Sequence, residues 1–430
     1  MSDRGGFSLP ARFLRVFLFF QLTLLTVGIA RGQNYVYFGS LLEEIDRMAK
    51  WQFGPFRISS YFQIRNIGYD SNIYQQAKDS NPVSDYTAAL SLPSKVYVNY
   101  RNGIVFSLAA VPEYAFYASQ KKERSFNYSL LPELRVRLFR WLILSGSTEY
   151  GRSRRRATSE FDVRAEEKSH SYRGSVFIET ARLTALGFSG YIQDFRYEDI
   201  YAPEEENILS RRLNRQERNG SLEFYYRMYS DTVFFLKGGY TEYNFQHPAS
   251  FFRNSYSYQV SSGLRFPLLG RIRGTLTLGY KSLLPRTKGI NGFSGLFGDT
   301  SFNLRISRFQ FRLLYRRDCY FSFWQNSLFF VEGQWGTGIS FYPTTFLRLD
   351  YDYRQGRSDY PGRLLITLPD GSVQEIERRD WNRYHIVSLV YRVVGDIGIG
   401  LTGNFWQRRS NFNLVERNRF FVGAFLTYEF

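Results

Sequence analysis

Three histidines, one cysteine and fifty-six lysines and arginines among 430 residues bound the chemistry open to this chain. Acid–base or nucleophilic catalysis needs a titratable side chain held against a partner, most often histidine near neutral pH. His170 and His247 lie in polar stretches with serine neighbours, and His385 stands near Trp381. None has the spacing of a nucleophile, base and orienting acid. Cys319 alone excludes an intrachain disulfide and paired thiolate ligands, and there is no glycine-rich phosphate loop or sustained acidic cluster. The expectation is a protein that is not an enzyme and holds no cofactor or metal. Its formal charge of +17 points instead to electrostatic work on anions.

The arginines recur at alternate positions, and that spacing names the element that must carry them. From 346 to 354, Leu347, Leu349, Tyr351 and Tyr353 take one parity, and Arg348, Asp350, Asp352 and Arg354 the other. Segments 220–228, 271–281 and 300–306 repeat the pattern. A period of two is a β-strand with one apolar and one polar face. If the apolar face meets lipid, the opposite face collects Arg135, Arg137, Arg173, Arg227, Arg265, Arg271, Arg273, Arg305, Arg312, Arg316, Arg348, Arg354 and Arg392. Acids of the same parity are Glu133, Glu149, Glu179, Glu223, Asp350 and Asp352. These arginines are the candidate lining of a basic aqueous lumen; the competing reading pairs most of them across strands. Tyr61, Tyr97, Tyr117, Tyr191 and Trp406 could also face inward, whereas Tyr351, Tyr353, Tyr391, Trp141 and Trp381 fit the aromatic girdles of a membrane interface.

The elements form one series. Aromatics make up 19% of the chain, no linker or composition shift interrupts residues 56–430, and no apolar run there is long enough for a spanning helix. An all-β, transmembrane antiparallel β-barrel of the bacterial outer membrane follows. Short turns are expected near Asn102-Gly103, Phe139-Arg140, Thr180-Ala181, Ser230-Asp231, Leu268-Leu269, Ser307-Arg308, Pro343-Thr344 and Gly395-Asp396. Longer polar loops fall near 72–84, 119–125, 152–169, 198–213, 246–255, 283–292, 318–326, 355–381 and 408–417. Turns on the periplasmic side and loops outside then connect about eighteen strands, or sixteen if one hairpin is miscounted. Arg152, Arg154, Arg155 and Arg156 in the third loop are expected to face lipopolysaccharide. The alternation of 363–377 around Pro369-Asp370-Gly371 reads as a hairpin extended beyond the membrane.

Residues 1–32 read as a signal peptide: Arg4, Arg12 and Arg15 precede an apolar run from 16 to 30, and Ala30 and Gly32 suit a cut before Gln33. Its removal would lower the formal charge to about +14. Residues 33–55 form a short periplasmic segment, where Leu41, Leu42, Ile45 and Met48 recur at helical spacing. A short helix and a tail without fixed contact are both open readings, and either is too short for a plug domain. Expected partners are outer-membrane lipid and lipopolysaccharide, the barrel assembly machinery and periplasmic polysaccharide-export proteins; an exported chain seldom meets nucleic acid.

The final strand, FFVGAFLTYEF, resembles the assembly signal of bacterial outer-membrane proteins through Tyr428 and Phe430, with Phe425 where a glycine is usual. Upstream, GYDSNIY (Gly68, Tyr69, Asp70, Ser71 and Asn72 through Tyr74) resembles the opening of the putative β-barrel porin 2 family. By themselves, Asp70, Ser71 and Asn72 suit a turn closed by side-chain hydrogen bonds. The resemblance implies a barrel filling nearly the whole mature chain, in a family often linked to exopolysaccharide or capsule production. The leading functional expectation is therefore an outer-membrane pore for an exported exopolysaccharide or anionic solute. The alternatives are a general diffusion porin with mild anion preference and a closed structural or adhesive surface barrel.

Overall fold

The computed structural model describes residues 37–430 except 159, 161–163, 181–182, 199–207, 229–231, 267–271, 324–326, 368–372 and 394–395. The expected signal peptide, Arg271 and the 369–371 turn lie outside the described residues.

Eighteen strands run antiparallel around one closed sheet. They are β1 Phe56–Asp70, β2 Asp85–Ser91 continued by Ser94–Tyr100, β3 Ile104–Tyr117, β4 Ser125–Arg137, β5 Leu142–Arg156, β6 Arg164–Thr180, β7 Thr184–Glu198, β8 Arg215–Arg227 and β9 Val233–Phe245. The second half comprises β10 Ser255–Phe266, β11 Ile272–Pro285, β12 Phe293–Ile306, β13 Phe309–Phe321, β14 Phe329–Phe341, β15 Leu347–Thr367, β16 Val373–Arg392, β17 Ile397–Ser410 and β18 Arg417–Glu429. Closure comes from β1 on β18, with Phe62 opposite Tyr428 and Gly68 opposite Gly423. A closed sheet leaves no unpaired edge, which hydrocarbon would penalise heavily.

The alternation does what a membrane demands. On β12, Leu296 and Ile306 are exposed outward, while Asp299, Asn303 and Arg305 hold the opposite parity. Local irregularities are built in near the seam. Pro93 cannot donate to the ladder, so β2 breaks there; Tyr61 N–H donates to the Pro93 carbonyl at 3.1 Å and keeps the neighbour in register. In β1, Asn66 adopts φ 56°, and the resulting bulge moves the inward parity from Gln63 and Arg65 to Gly68 and Asp70. The β2–β3 turn has φ 49° at Arg101 and 51° at Asn102, both positive as its tight hairpin requires.

Several strands outrun the sequence expectation. The 152–169 stretch is strand up to Arg156 and again from Arg164. His170 therefore stands in β6, between the Tyr150 and Tyr172 rings at 4.2 and 4.4 Å. The four arginines expected in that loop lie in β5, each with a protein partner. Arg152 pairs with Glu166 and Arg155 with Glu167, both at 2.8 Å, Arg154 is buried on Glu123, and Arg156 donates to Gln75. Likewise 355–381 is largely the extended hairpin of β15 and β16, of 21 and 20 residues.

Candidate functional site: the lumen and its two mouths

The inner wall carries two groups of arginines. On β11–β16, Arg273, Arg305, Arg312, Arg316, Arg348, Arg354 and Arg392 take the inward parity, opposite the exposed apolar face. Arg312 forks onto Asp352 at 3.0 and 3.1 Å and donates to Ser340 Oγ at 2.5 Å, while Arg348 lies 2.8 Å from Asp350. Arg316 reaches Asp299 only at 3.9 Å, and Arg305 stacks over Tyr342 at 5.7 Å. Arg305 and Arg354 make no ion pair among the described residues. The other group is spread over β4–β10. Arg135 is bound to Glu133 at 2.6 Å and Arg173 to Glu149 at 3.2 Å, whereas Arg137, Arg227 and Arg265 stand near the periplasmic mouth.

That mouth is occupied. Residues 38–48 form α1, Phe38–Met48, as their spacing allows; the helix lies inside the barrel and not free beneath it. Tyr37, Phe38 and Ile45 pack on inward side chains of seven strands, including Tyr97, Ile143, Phe177, Tyr225 and Phe235. Sequence reasoning missed this because the apolar inward residues look like exceptions until a helix is set against them. Polar contacts fix its position. Phe38 N–H donates to Glu179 Oε1 at 2.8 Å, Tyr37 hydroxyl to the Leu183 carbonyl at 3.0 Å, and Arg227 to Ser40 Oγ at 2.8 Å. Arg137 and Arg227 cover the Phe38 and Tyr37 rings at 4.8 and 4.6 Å. At the rim, Lys50 pairs with Asp396 and Arg57 with Asp46, both at 2.6 Å.

The extracellular mouth is covered from the other half of the chain. The tip of the β13–β14 hairpin bends inward, so Cys319, Leu328 and Phe329 pack on Leu283 and Phe293 of the inner wall. Phe321 meets Tyr243 and Phe245 edge-on at 4.7 and 5.6 Å, and Phe323 joins Tyr197, Leu209 and Leu213. Leu209 and Leu213 belong to α2, Ile208–Leu213, in the β7–β8 loop. From the β5–β6 loop, Glu160 reaches this tip: Ser322 hydroxyl and Phe323 N–H each donate to its carboxylate at 2.7 Å. Burial pushes the Glu160 carboxyl up, against the opposing pull of those two donors and of Arg378 and Arg408. Arg253, buried beside the Ser322 carbonyl, is brought down to about 10 by burial and then by Arg212. Nearby, Arg378 forks onto Asp380 at 2.6 and 3.0 Å, both fully buried although they sit on the inward face of a lumen wall. Glu160 and Arg253 escaped the sequence reading because loop charges carry no period, and Arg378 and Asp380 because 355–381 reads as a loop where the structure has strand.

The GYDSNIY segment locks the barrel seam. A Cβ on Gly68 would lie 2.0 Å from the Val422 carbonyl oxygen, so β1 approaches β18 too closely for any side chain there. Asp70 receives Arg419 at 2.5–3.0 Å and caps the Asn72 N–H at 3.0 Å; Ser71 exchanges hydrogen bonds with Phe420. Asn72 donates to the Gln76 and Asn418 carbonyls. Tyr69 faces outward. At the other end of β18, Tyr428 also faces outward, 5.8 Å from the Phe430 ring, while Phe425 points inward over Gly400, which has no Cβ to obstruct it. No cluster of metal-ligating side chains occurs among the described residues.

Solved structures and one family model are similar to this chain. No curated protein matches the chain. Among solved structures, OccK3 (OpdO) of Pseudomonas aeruginosa superposes with a TM-score of 0.46 at 14% identity, covering 87% of this chain and 95% of that one. OpdK from the same organism gives 0.48 at 12%, covering 87% and 98%, and a BenF-like porin of Pseudomonas fluorescens Pf-5 gives 0.48 at 10%, again covering 87% and 98%. The putative beta-barrel porin 2 family matches residues 51–308, from the strand-like approach to β1 through the end of β12. With more than half its length matched and its sheet closed through eighteen strands, this chain belongs to the putative beta-barrel porin 2 family of outer-membrane barrels.

Proposed function

We propose that the barrel is an outer-membrane conduit for anionic solutes, its cargo an acidic exported polysaccharide delivered by periplasmic export proteins. The observation that carries this reading is the arginine ladder on β11–β16, where Arg305 and Arg354 face the lumen without an acidic partner among the described residues. Fixed cations on a low-dielectric wall raise the local anion concentration and lower the barrier to anion entry. Reversal potentials across planar bilayers under a potassium chloride gradient test the charge preference. Deletion of the chain tests the cargo: loss of a secreted glycan with normal small-solute uptake fits export, and the converse fits a general diffusion porin.

The two covered mouths favour a second reading, a closed structural or surface barrel. Conductance separates it from both pores, because a barrel that never passes current under any voltage or pH is not a conduit.

A further inference from the structure

The outward wall of β14–β17 carries a charge cluster with no part in the lumen. Trp335, Tyr353, His385 and Phe405 form a belt of rings there, with successive centroids 5.3, 5.0 and 6.1 Å apart. One row further from the periplasm, Gln355, Arg383 and Gln407 stand opposite one another; in the next row come Arg357, Trp381 and Arg409, and beyond them Asp359 and Arg379. Strands about 4.8 Å apart and rows about 7 Å apart place the four guanidinium groups within roughly 15 Å. Asp359 serves Arg357 at 2.7 Å and Arg379 only at 3.9 Å, and Glu377 lies 3.6 Å from Arg379. Arg383 and Arg409 make no ion pair among the described residues, and both are exposed. The outward face of β5–β7 differs: its Arg152 is held by Glu166 at 2.8 Å, and its Lys168 by Glu198 at 3.1 Å.

We infer that Arg357, Arg383 and Arg409, with Trp381 among them, form a docking site for the phosphorylated headgroup of an outer-leaflet glycolipid. An aromatic belt marks the membrane interface, so cations one and two rows beyond it meet headgroups and not acyl chains. Guanidinium forks match phosphate oxygens two at a time, and a tryptophan ring at this depth packs on the glycolipid's apolar shoulder. The side chains point away from the lumen, so a transported anion does not reach them.

The test uses the purified full-length protein in detergent, titrated with bis-phosphorylated lipid A, with its dephosphorylated counterpart and with inorganic phosphate, and read by native mass spectrometry. The phosphorylated lipid is expected to bind about tenfold or more tightly than the dephosphorylated one. Combining Arg357→Gln, Arg383→Gln and Arg409→Gln should abolish that preference, and Arg152→Gln with Lys168→Gln should leave it intact. Equal affinity for the two lipids on the unaltered protein overturns the inference even if the triple variant fails to fold. An undiminished preference in a folded triple variant, or displacement of the lipid by inorganic phosphate at equal concentration, overturns it as well.

Discussion

Phe38 is the anchor of α1, and truncating it measures how firmly the periplasmic mouth is held. Its side chain is 1% exposed, packed among inward wall residues and covered by Arg137 at 4.8 Å. Replacing such a phenylalanine with alanine costs about 3–5 kcal/mol, and the lost cation–π contact adds about 0.5–1 kcal/mol. The remaining hold, from Tyr37, Ile45 and the rim ion pairs, is unchanged to first order. A loss near 4 kcal/mol corresponds to a rise of roughly a thousandfold in the unseated population, at about 1.4 kcal/mol per tenfold. Hydrogen exchange reads that population directly, because amide protection reports the free energy of local opening. In Phe38→Ala, the 38–49 amides should lose about three orders of magnitude of protection while those of β12 keep theirs. Phe53→Ala, at a ring 58% exposed, is the matched control and should change neither. Unchanged protection in 38–49, or a loss spread evenly around the barrel, would refute the assignment of Phe38 as the anchor.

Glu160 should make the extracellular seal sensitive to pH. Burial raises its carboxyl above the ordinary glutamate range, so the contact is fully held below that range and weakens as pH climbs toward the elevated value. The sole cysteine, buried under the same hairpin tip, is the reporter: Cys319 labelling by a maleimide, relative to the denatured chain at each pH, should accelerate as pH rises above the ordinary glutamate range. Glu160→Gln should flatten that profile, and an identical slope in the variant sinks the idea. Gly68→Ala forces a Cβ into the Val422 carbonyl and should destabilise the barrel by about 1–3 kcal/mol, seen as a lower temperature for loss of the folded band on a gel. A variant as heat-resistant as the parent would count against the seam's role. Arg305→Gln with Arg354→Gln should lower the anion-to-cation permeability ratio by roughly twofold, and no change would remove the ladder from the selectivity argument.

The barrel was readable because a membrane imposes one rule on every strand, and residues such as Leu347–Arg354 obey it without exception. The strand number followed from short turns alternating with longer polar loops, the clearest of the turns at Asn102, where φ is 51°. What the alternation cannot reveal is matter placed inside the wall. Tyr97, Phe177 and Phe235 hold the inward parity yet are apolar, and only the opposing helix accounts for them. The folded-in hairpin was hidden for a related reason: beyond the membrane β13 and β14 bury both faces, so Cys319 and Tyr320 contact apolar neighbours on opposite sides and the period of two loses its meaning. The Asn66 bulge shifts parity by one inside β1, which pattern matching alone would read as a broken strand.

All the core contacts of α1 fall on strands up to β9, whereas the opposite mouth is covered chiefly by a hairpin from β13 and β14. The amino-terminal half of the polypeptide thus brings its own cork and the rim that fits it. Cork and lid share no core residue and hang largely on different staves of the cask, so loosening one leaves the hold of the other in place.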